Sequence, residues 1–196
     1  AKNLGLNPRD YARENPHFRG KVISEVYQAY QMQLAQNNAL DFDDLILVPV
    51  RLFQQNESIL GYWHTQFKHI LVDEYQDTNK VQYEIVKSIS LEHQNVCAVG
   101  DIDQNIYSWR GANIRNIMNF EKDYPDCRII KLEQNYRSTN TILDAANAVI
   151  RNNARRRGKQ LWSQKGAGSR ITLHTFQSDE EEARTVVEEI EFQRMA

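Results

Sequence analysis

The stretch Ile70-Leu71-Val72-Asp73-Glu74-Tyr75-Gln76-Asp77-Thr78-Asn79 is a short apolar run that ends abruptly in acidic and amide residues. Together with Phe67, the unalternated run predicts a strand that is buried on both faces of a covered sheet. Asp73 and Glu74 follow its carboxyl end, where open α/β sheets bind their ligands. Two adjacent carboxylates there can share the work of phosphoryl transfer, with one acid holding a divalent cation and the other taking a proton from water. Taken alone, an Asp-Glu pair after an apolar run is more often a helix cap or a solvated turn.

Two more strands are predicted further along the chain, and both end in polar residues. Residues 95–99 are followed by Gly100-Asp101-Ile102-Asp103-Gln104, and residues 127–132 by Glu133-Gln134-Asn135-Tyr136-Arg137. Helical patterns separate the three strands, which predicts βαβ units and a parallel sheet. Because right-handed crossovers place the carboxyl ends of such strands at one edge, we expect all three polar clusters to face a single ligand.

Helical patterns also precede the first strand. From Lys21 the apolar residues are spaced as one helix face that runs until Asn37-Asn38, and this face consists of Val22, Val26, Tyr30 and Leu34. Asp41 is the predicted cap of the next helix, where Asp43 and Asp44 complement the positive end of the helix dipole. The three acids could also suggest a metal site, but acids in a first helical turn usually serve the dipole.

The last third of the chain has a different character. Ser138 or Thr139 is expected to cap a helix, which gives way to the basic turn Arg155-Arg156-Arg157-Gly158-Lys159. Residues 170–176 alternate like a strand, and a helix with a capping box is predicted after them. These elements indicate the opening of a second domain.

Composition limits the class of protein without naming it. The 196 residues are 41% apolar and 26% charged, which is ordinary for a globular protein. Because the net charge is −2, any nucleic acid must bind to a local patch of positive charge. Cys97 and Cys127 lie in apolar runs and are interpreted as buried thiols of a reducing compartment. With no apolar stretch near the ~20 residues of a membrane span and no signal peptide, we expect a cytoplasmic protein without membrane contact.

A loop after the second strand combines aromatic, amide and cationic side chains, in the sequence Asp103-Gln104-Asn105-Ile106-Tyr107-Ser108-Trp109-Arg110-Gly111. Aromatic rings that stack on bases, with a cation nearby for phosphate, are what a track for single-stranded nucleic acid requires. Each such stack contributes ~1–3 kcal/mol. Tyr107 and Trp109 are equally compatible with core residues of an ordinary loop.

Three blocks of this sequence resemble successive motifs of superfamily one DNA helicases of the UvrD/PcrA/Rep type. They are residues 73–79, 100–112 and 134–139, and a fourth block, Leu40-Asp41-Phe42-Asp43-Asp44-Leu45, resembles another motif of the same family. Their order and spacing agree with that family, and the similarity extends through nearly the whole chain.

The resemblance implies an α/β fold with the partial parallel sheet of a RecA-like P-loop NTPase, a helical subdomain and the start of a second RecA-like domain. Residues 1–38 would form the end of the helical subdomain, called 1B in the family. Residues 39–133 would form the first RecA-like domain after its nucleotide loop, and residues 134–196 the start of the second. We expect both termini to be cuts in a longer protein, because the chain starts without methionine and ends within a helical pattern.

The resemblance also implies roles in binding and hydrolysing ATP. Asp73 would hold Mg²⁺, indirectly or through water, and Glu74 would be the base that activates the attacking water. Gln104 would contact the γ-phosphate and its water. Tyr136 would stack on adenine, and Arg137 would act as an arginine finger on the γ-phosphate, where developing phosphoryl charge requires a fixed guanidinium.

For DNA, the resemblance implies that Tyr107 and Trp109 stack on bases of a single strand, and that Arg110 contacts Glu74 or DNA. In the family, hydrolysis between two RecA-like domains drives 3′ to 5′ translocation on single-stranded DNA and at junctions with duplex. Protein partners are not indicated.

Three departures from the family pattern stand out. The phosphate loop Gly-x-x-x-x-Gly-Lys-Ser/Thr and the later motifs of the second domain do not occur in these 196 residues, and Asn105 stands where the family more often has serine. We therefore expect the longer protein, but not this chain alone, to hydrolyse ATP and unwind DNA. Two alternatives stay open: the motor of a helicase-nuclease subunit, and a non-catalytic remnant that binds single strands.

Overall fold

The computed structural model describes residues 1–153 and 158–195, and the chain divides into two compact units between Ile129 and Ile130. Most of the predicted basic turn, residues 155–157, lies outside the described residues. None of the helices in the described ranges combines the length and the apolar character that crossing a membrane requires.

The first unit has helices around a short parallel sheet. Its elements in chain order are α1 (Pro8–Glu14), α2 (Phe18–Gln36), α3 (Asp44–Gln55), α4 (Glu57–Gln66), β1 (Ile70–Val72), α5 (Lys80–Ser90), β2 (Val96–Ala98), α6 (Arg115–Met118) and α7 (Phe120–Asp123). Strands β1 and β2 pair in parallel with Leu71 opposite Cys97, and α5 is the helix that connects them. The predicted α/β class with a parallel βαβ unit is confirmed.

Two apolar clusters hold this unit together. Helices α3, α4 and α5 pack on one another around Leu47, Val50 and Val81. In the second cluster, the Tyr75 ring packs edge-on against Phe120, with 5.6 Å between ring centroids, and Phe120 contacts Tyr124. Burial raises the pKa of the Tyr75 hydroxyl far above its usual range, so this side chain stays neutral. The clusters fix the start of α5 through Val81 and the turn after β1 through Tyr75.

The sheet is less covered than its sequence predicts. The side chain of Leu71 is 78% exposed, and its register partner Cys97 is exposed too. Because side chains alternate along a strand, this leaves one face of the two-stranded sheet open within the described residues. The prediction of a strand buried on both faces was wrong, as was that of a buried Cys97, while Cys127 is half-buried.

The predicted third strand, residues 127–132, is also absent, since these described residues adopt no regular secondary structure. Ile129, Ile130 and Leu132 are exposed, and the border between the two units falls within the run. Residues 170–176, predicted as a strand, are irregular as well, and Leu173 is 90% exposed. An apolar or alternating run becomes a strand only when another strand pairs with its backbone N–H and C=O groups. Neither run has such a partner strand among the described residues.

Helix α2 forms as predicted, but a different face is buried. Val22, Val26 and Tyr30 are exposed, whereas Gly20 and Ser24 face α1. The Ser24 hydroxyl donates to the Pro8 carbonyl oxygen at 2.6 Å. Small residues allow the short helix α1 to approach α2 closely, which apolar periodicity alone does not reveal.

The acids around α3 serve a buried cation. The cap position of α3 is Asp43, so the predicted cap residue lies two residues too early in the chain. The Oδ1 of Asp41 nevertheless accepts the backbone N–H of Asp44 at 2.9 Å. The Lys2 ammonium is 6% exposed and lies 2.7 Å from a carboxylate oxygen of each of these two acids. Asp44 is therefore more than a partner of the helix dipole, since it neutralises a buried charge.

The second unit contains α8 (Asn140–Ile150) and α9 (Asp179–Met195). Thr139 precedes α8 as its cap residue, and the buried face of α8 consists of Leu143 and Asn147. The Asn147 amide bonds both backbone groups of Leu161, at 2.9 and 3.2 Å. The capping box predicted for α9 differs in one bond, because the Glu181 carboxylate accepts from the backbone N–H of Gln177 and not from that of Ser178.

Candidate active site

The turn that follows β1 presents two carboxylates. Glu74 has a left-handed backbone, with φ 48° and ψ 42°, and its N–H donates to Asp73 Oδ1 at 2.9 Å. That conformation is uncommon for a residue with a side chain and costs on the order of 1–3 kcal/mol, so the surrounding contacts must maintain it. Both side chains are exposed beyond the carboxyl end of the strand.

Gln76 bonds to several parts of this turn, a role that its position in the sequence does not indicate. Its side chain is 1% exposed, and its Nε2 donates to Glu74 Oε2 at 2.7 Å and to Asp77 Oδ2 at 3.3 Å. Its Oε1 accepts the backbone N–H of Asp101 at 2.9 Å. One buried amide thus joins the residues after β1 to those after β2.

Asn105 and Gly100 both lie close to Gln76. The Asn105 side chain donates to the Gln76 carbonyl oxygen at 2.6 Å, which gives a structural purpose to the asparagine that departs from the family pattern. A Cβ on Gly100 would lie 2.7 Å from Gln76 Oε1 and 2.9 Å from Ile117 Cδ1. A glycine two residues after the end of β2 is the sequence signal for this close approach.

Gln104 lies in the loop that follows β2. Its Nε2 donates to Asp101 Oδ2 at 2.8 Å, and Asp101 Oδ1 accepts the backbone N–H of Asp103 at 3.0 Å. Because β1 and β2 are parallel neighbours, this loop and the two acids share one edge of the sheet. Two of the three polar clusters predicted to converge are therefore brought together within the first unit.

The aromatic loop begins three residues after Gln104. Trp109 is 72% exposed and Tyr107 is also exposed, so neither ring is a core residue. The Arg110 guanidinium carbon lies 4.5 Å from the Trp109 ring centroid and 5.6 Å from that of Tyr107. This surface of two rings and one cation has the composition of a base-stacking platform.

Asn116 ties the far end of the aromatic loop to the turn after β1. Its buried amide donates to the Thr78 carbonyl oxygen at 3.0 Å, to Thr78 Oγ1 at 3.1 Å and to the Asn79 carbonyl oxygen at 3.3 Å. The backbone N–H of Asn113 also donates to the Thr78 carbonyl oxygen, at 2.9 Å. The loop is thus anchored to the acidic turn at both of its ends, through Gln76 and through Asn116.

We expect Asn116→Ala to destabilise the protein by about 1–3 kcal/mol, because the change removes a buried donor from three acceptors. The free energy of unfolding from urea denaturation measures the effect. Asn119→Ala is the matched control, since Asn119 is exposed and its side chain makes no capping bond to α7. Equal losses in the two variants would contradict the anchoring role of Asn116.

Tyr136 and Arg137 lie on a turn of the second unit. Asn135 Oδ1 accepts the backbone N–H groups of Arg137 and Ser138 at 2.9 and 2.7 Å, which fixes the turn just before α8. The Tyr136 ring is 75% exposed, and the Arg137 side chain is exposed as well. Both side chains are accessible to a ligand.

The donor set after β1 fits a magnesium ion bound together with a nucleotide. Mg²⁺ usually takes one or two carboxylates and completes its shell with phosphate oxygens and water. Asp73, an exposed carboxylate at the carboxyl end of a parallel strand, offers that kind of ligand. The exposed ring of Tyr136 has the surface that stacking on adenine requires.

A parallel βαβ unit with acid and amide side chains at its carboxyl edge is typical of α/β proteins that bind nucleotides. Residues 1–125 match the N-terminal domain of the UvrD/REP helicases, and residues 130–195 match the UvrD-like helicase C-terminal domain. The chain therefore belongs to the UvrD/REP helicase family, as its sequence blocks indicate.

Three curated proteins that are similar to this chain are helicases of the same kind. The chain is 48% identical over 191 residues to an ATP-dependent DNA helicase PcrA of Leuconostoc citreum, covering 97% of this chain and 26% of that protein. It is 48% identical over 189 residues to the proteins of the same name from Staphylococcus aureus strain Mu50 and Staphylococcus epidermidis strain RP62A, covering 96% of this chain and 26% of each. The chain thus spans about a quarter of the length of these relatives.

Proposed function

We propose that this chain carries part of the motor of an ATP-dependent DNA helicase that moves 3′ to 5′ along single-stranded DNA. The observation that carries the proposal is the bond network of Gln76, which joins the acids after β1 to the loop of Gln104. That loop continues into the exposed rings of Tyr107 and Trp109. Groups suited to hydrolysis and groups suited to base stacking therefore belong to one connected structure, as coupling of the two requires.

In this proposal the first step is water activation at the edge of the sheet. Glu74 accepts a proton from the attacking water, and its left-handed backbone and the bond from Gln76 fix the carboxylate for that task. Asp73 would hold Mg²⁺, and the bound ion would supply positive charge to the phosphate oxygens. Gln104 orients the γ-phosphate and the water.

The second unit supplies the remaining nucleotide contacts. Tyr136 stacks on adenine, and the Arg137 guanidinium stabilises the charge that develops on the γ-phosphate. Residues 1–38 belong to a helical subdomain, residues 39–133 to the first RecA-like domain and residues 134–196 to the second. Hydrolysis changes the arrangement of the two RecA-like domains, as the family relationship implies.

The DNA part of the proposal concerns single strands and their junctions with duplex. Tyr107 and Trp109 stack on successive bases, and Arg110, held over both rings, adds positive charge for the phosphates. Because Gln104 and Tyr107 are three residues apart in one loop, a shift of Gln104 on hydrolysis moves the stacking rings.

We expect the 196-residue chain by itself neither to hydrolyse ATP nor to unwind DNA. A phosphate-binding loop and its lysine supply much of the binding of a triphosphate, and these residues do not contain that motif. The assay measures release of phosphate from ATP by the purified chain with and without single-stranded DNA. Turnover that DNA stimulates and that Glu74→Gln removes would contradict the expectation.

Trp109→Ala is expected to weaken the binding of single-stranded DNA by more than ~1 kcal/mol, because it removes one stacking surface. The slope of log affinity against log salt should change little, since no phosphate contact is lost. Fluorescence titration with a labelled oligothymidylate measures both quantities. Phe18→Ala, which removes an exposed ring at the start of α2, is the control. Equal affinities of Trp109→Ala and parent would exclude the loop from the DNA site.

The exposed rings also favour a second candidate, a protein that binds single strands without hydrolysing ATP. That candidate requires Tyr107 and Trp109 but not Glu74. ATP turnover by the complete gene product, stimulated by single-stranded DNA, distinguishes the two candidates.

A further inference from the structure

We propose that Gln76 is the positioning residue of the site. Its buried amide holds the Glu74 carboxylate and the backbone of Asp101 in one fixed arrangement. As a result, Glu74 activates water only when the Gln104 loop is correctly placed relative to it. The inference rests on the proposed function. Gln76 acts through Glu74 and Asp101 and has no contact of its own with ATP or DNA assigned to it.

Gln76 is a buried residue within an exposed turn. Gln76 is 1% exposed although it lies between the exposed acids Glu74 and Asp73 and the half-buried Asp77. A buried primary amide is costly unless its donors and acceptor are satisfied, and here both ends are bonded. A side chain held in this way has no freedom to reorient, so it transmits position from one end to the other.

The two ends of the Gln76 amide contact different segments of the chain. Its Nε2 donates to the Glu74 carboxylate at 2.7 Å, a charge-assisted bond of short length. Its Oε1 accepts from the Asp101 backbone at 2.9 Å, and Asp101 in turn accepts from Gln104 at 2.8 Å. The chain of bonds therefore runs from the proposed base to the proposed γ-phosphate contact without a gap.

Side chains of similar size cannot make the same bonds at position 76. Glutamate lacks the donor for Glu74 and adds a like charge, methionine lacks both polar ends, and asparagine is one methylene shorter. The space is closed as well, because a Cβ at Gly100 would lie 2.7 Å from Gln76 Oε1. The Asn105 amide adds a further bond at 2.6 Å to the Gln76 carbonyl oxygen, which fixes the backbone too.

The test uses Gln76→Glu and Gln76→Met in the complete gene product, with ATP turnover measured at saturating single-stranded DNA. Both variants should lower kcat about 10- to 100-fold, because misplacing a catalytic group by about 1 Å has an effect of that order. The KM for ATP should change less than about threefold, since the triphosphate contacts remain. Gln66→Glu is the matched control and should retain the parent's kcat, because Gln66 is exposed at the end of α4.

Hydrogen exchange at the Asp101 amide separates positioning from a loss of folding. Gln76→Glu keeps the acceptor oxygen, so this amide should stay protected, whereas Gln76→Met removes the acceptor and the amide should exchange faster. Amides of α5 should stay protected in both variants, and circular dichroism should match the parent. A fall in kcat that merely follows the fraction of unfolded protein would overturn the proposal.

Gly100→Ala tests the same contact without changing Gln76. The added methyl group would force Gln76 Oε1 away from its place, so this variant should reproduce the loss of kcat with an unchanged KM for ATP. Gly61→Ala is its control, because a Cβ at Gly61 in α4 meets nothing within 4 Å. Parent-like kcat in Gln76→Glu, Gln76→Met and Gly100→Ala would overturn the inference alone. Absence of DNA-stimulated turnover in the parent itself would instead overturn the proposed function.

Discussion

Replacing Glu74 by glutamine in the complete gene product is expected to lower the rate of ATP hydrolysis about 100- to 10,000-fold, the contribution of a general base. Glutamine keeps the size of the side chain but cannot accept the proton of the attacking water. The affinity for ATP should remain, because the proposed role of Glu74 is in the chemical step and not in holding the triphosphate. Phosphate release at saturating single-stranded DNA and equilibrium binding of a fluorescent ATP analogue measure the two effects.

Glu25→Gln is the matched control for this change, since Glu25 is exposed on α2 and the substitution is chemically the same. The control should hydrolyse ATP at the parent's rate. If Glu74→Gln retained more than about one tenth of the parent's kcat, Glu74 would not be the base. Another acid would then have to take the proton.

Arg137→Ala is expected to lower kcat for ATP hydrolysis about 1,000-fold or more, the effect of removing an arginine finger. The guanidinium offers planar, paired donors to the phosphate oxygens as charge develops. Arg137→Lys should recover only part of the rate, because an ammonium group cannot form the same two parallel bonds. Single-turnover hydrolysis, with enzyme in excess over ATP, isolates the chemical step.

Arg170→Ala controls for the loss of one positive charge in the second unit, where Arg170 is exposed. It should leave hydrolysis unchanged. If Arg137→Ala changed only the affinity for DNA and left single-turnover hydrolysis at the parent's rate, the finger role would be contradicted, and Arg137 would be a DNA contact.

The parts of the fold that follow from local chemistry could be predicted from the sequence. The run at Ile70, the acids after it and the apolar spacing of α5 are local signals, and the βαβ unit forms as they indicate. The runs at 127–132 and 170–176 carry the same kind of signal but form no strand. A strand depends on a partner elsewhere, so its composition is necessary and not sufficient.

The candidate site shows the same division between local and distant information. The acids, Gln104 and the aromatic loop could be recognised as chemical groups in the sequence. The connections between them could not, because Gln76 meets Asp101 across 25 residues and Asn116 meets Thr78 across 38. A polar residue in a turn looks the same in sequence whether it is solvated or buried, and only the fold shows that these two amides are buried.

The most direct test of the account is a crystal structure of the complete gene product with Mg²⁺, a non-hydrolysable ATP analogue and an oligothymidylate. We expect the γ-phosphate to lie beside Glu74, Gln104 and Arg137, with a base stacked on Trp109 and the Gln76 amide still joining Glu74 to Asp101. A triphosphate bound away from the carboxyl edge of β1 and β2, with Glu74 and Gln104 remote from it, would contradict the account.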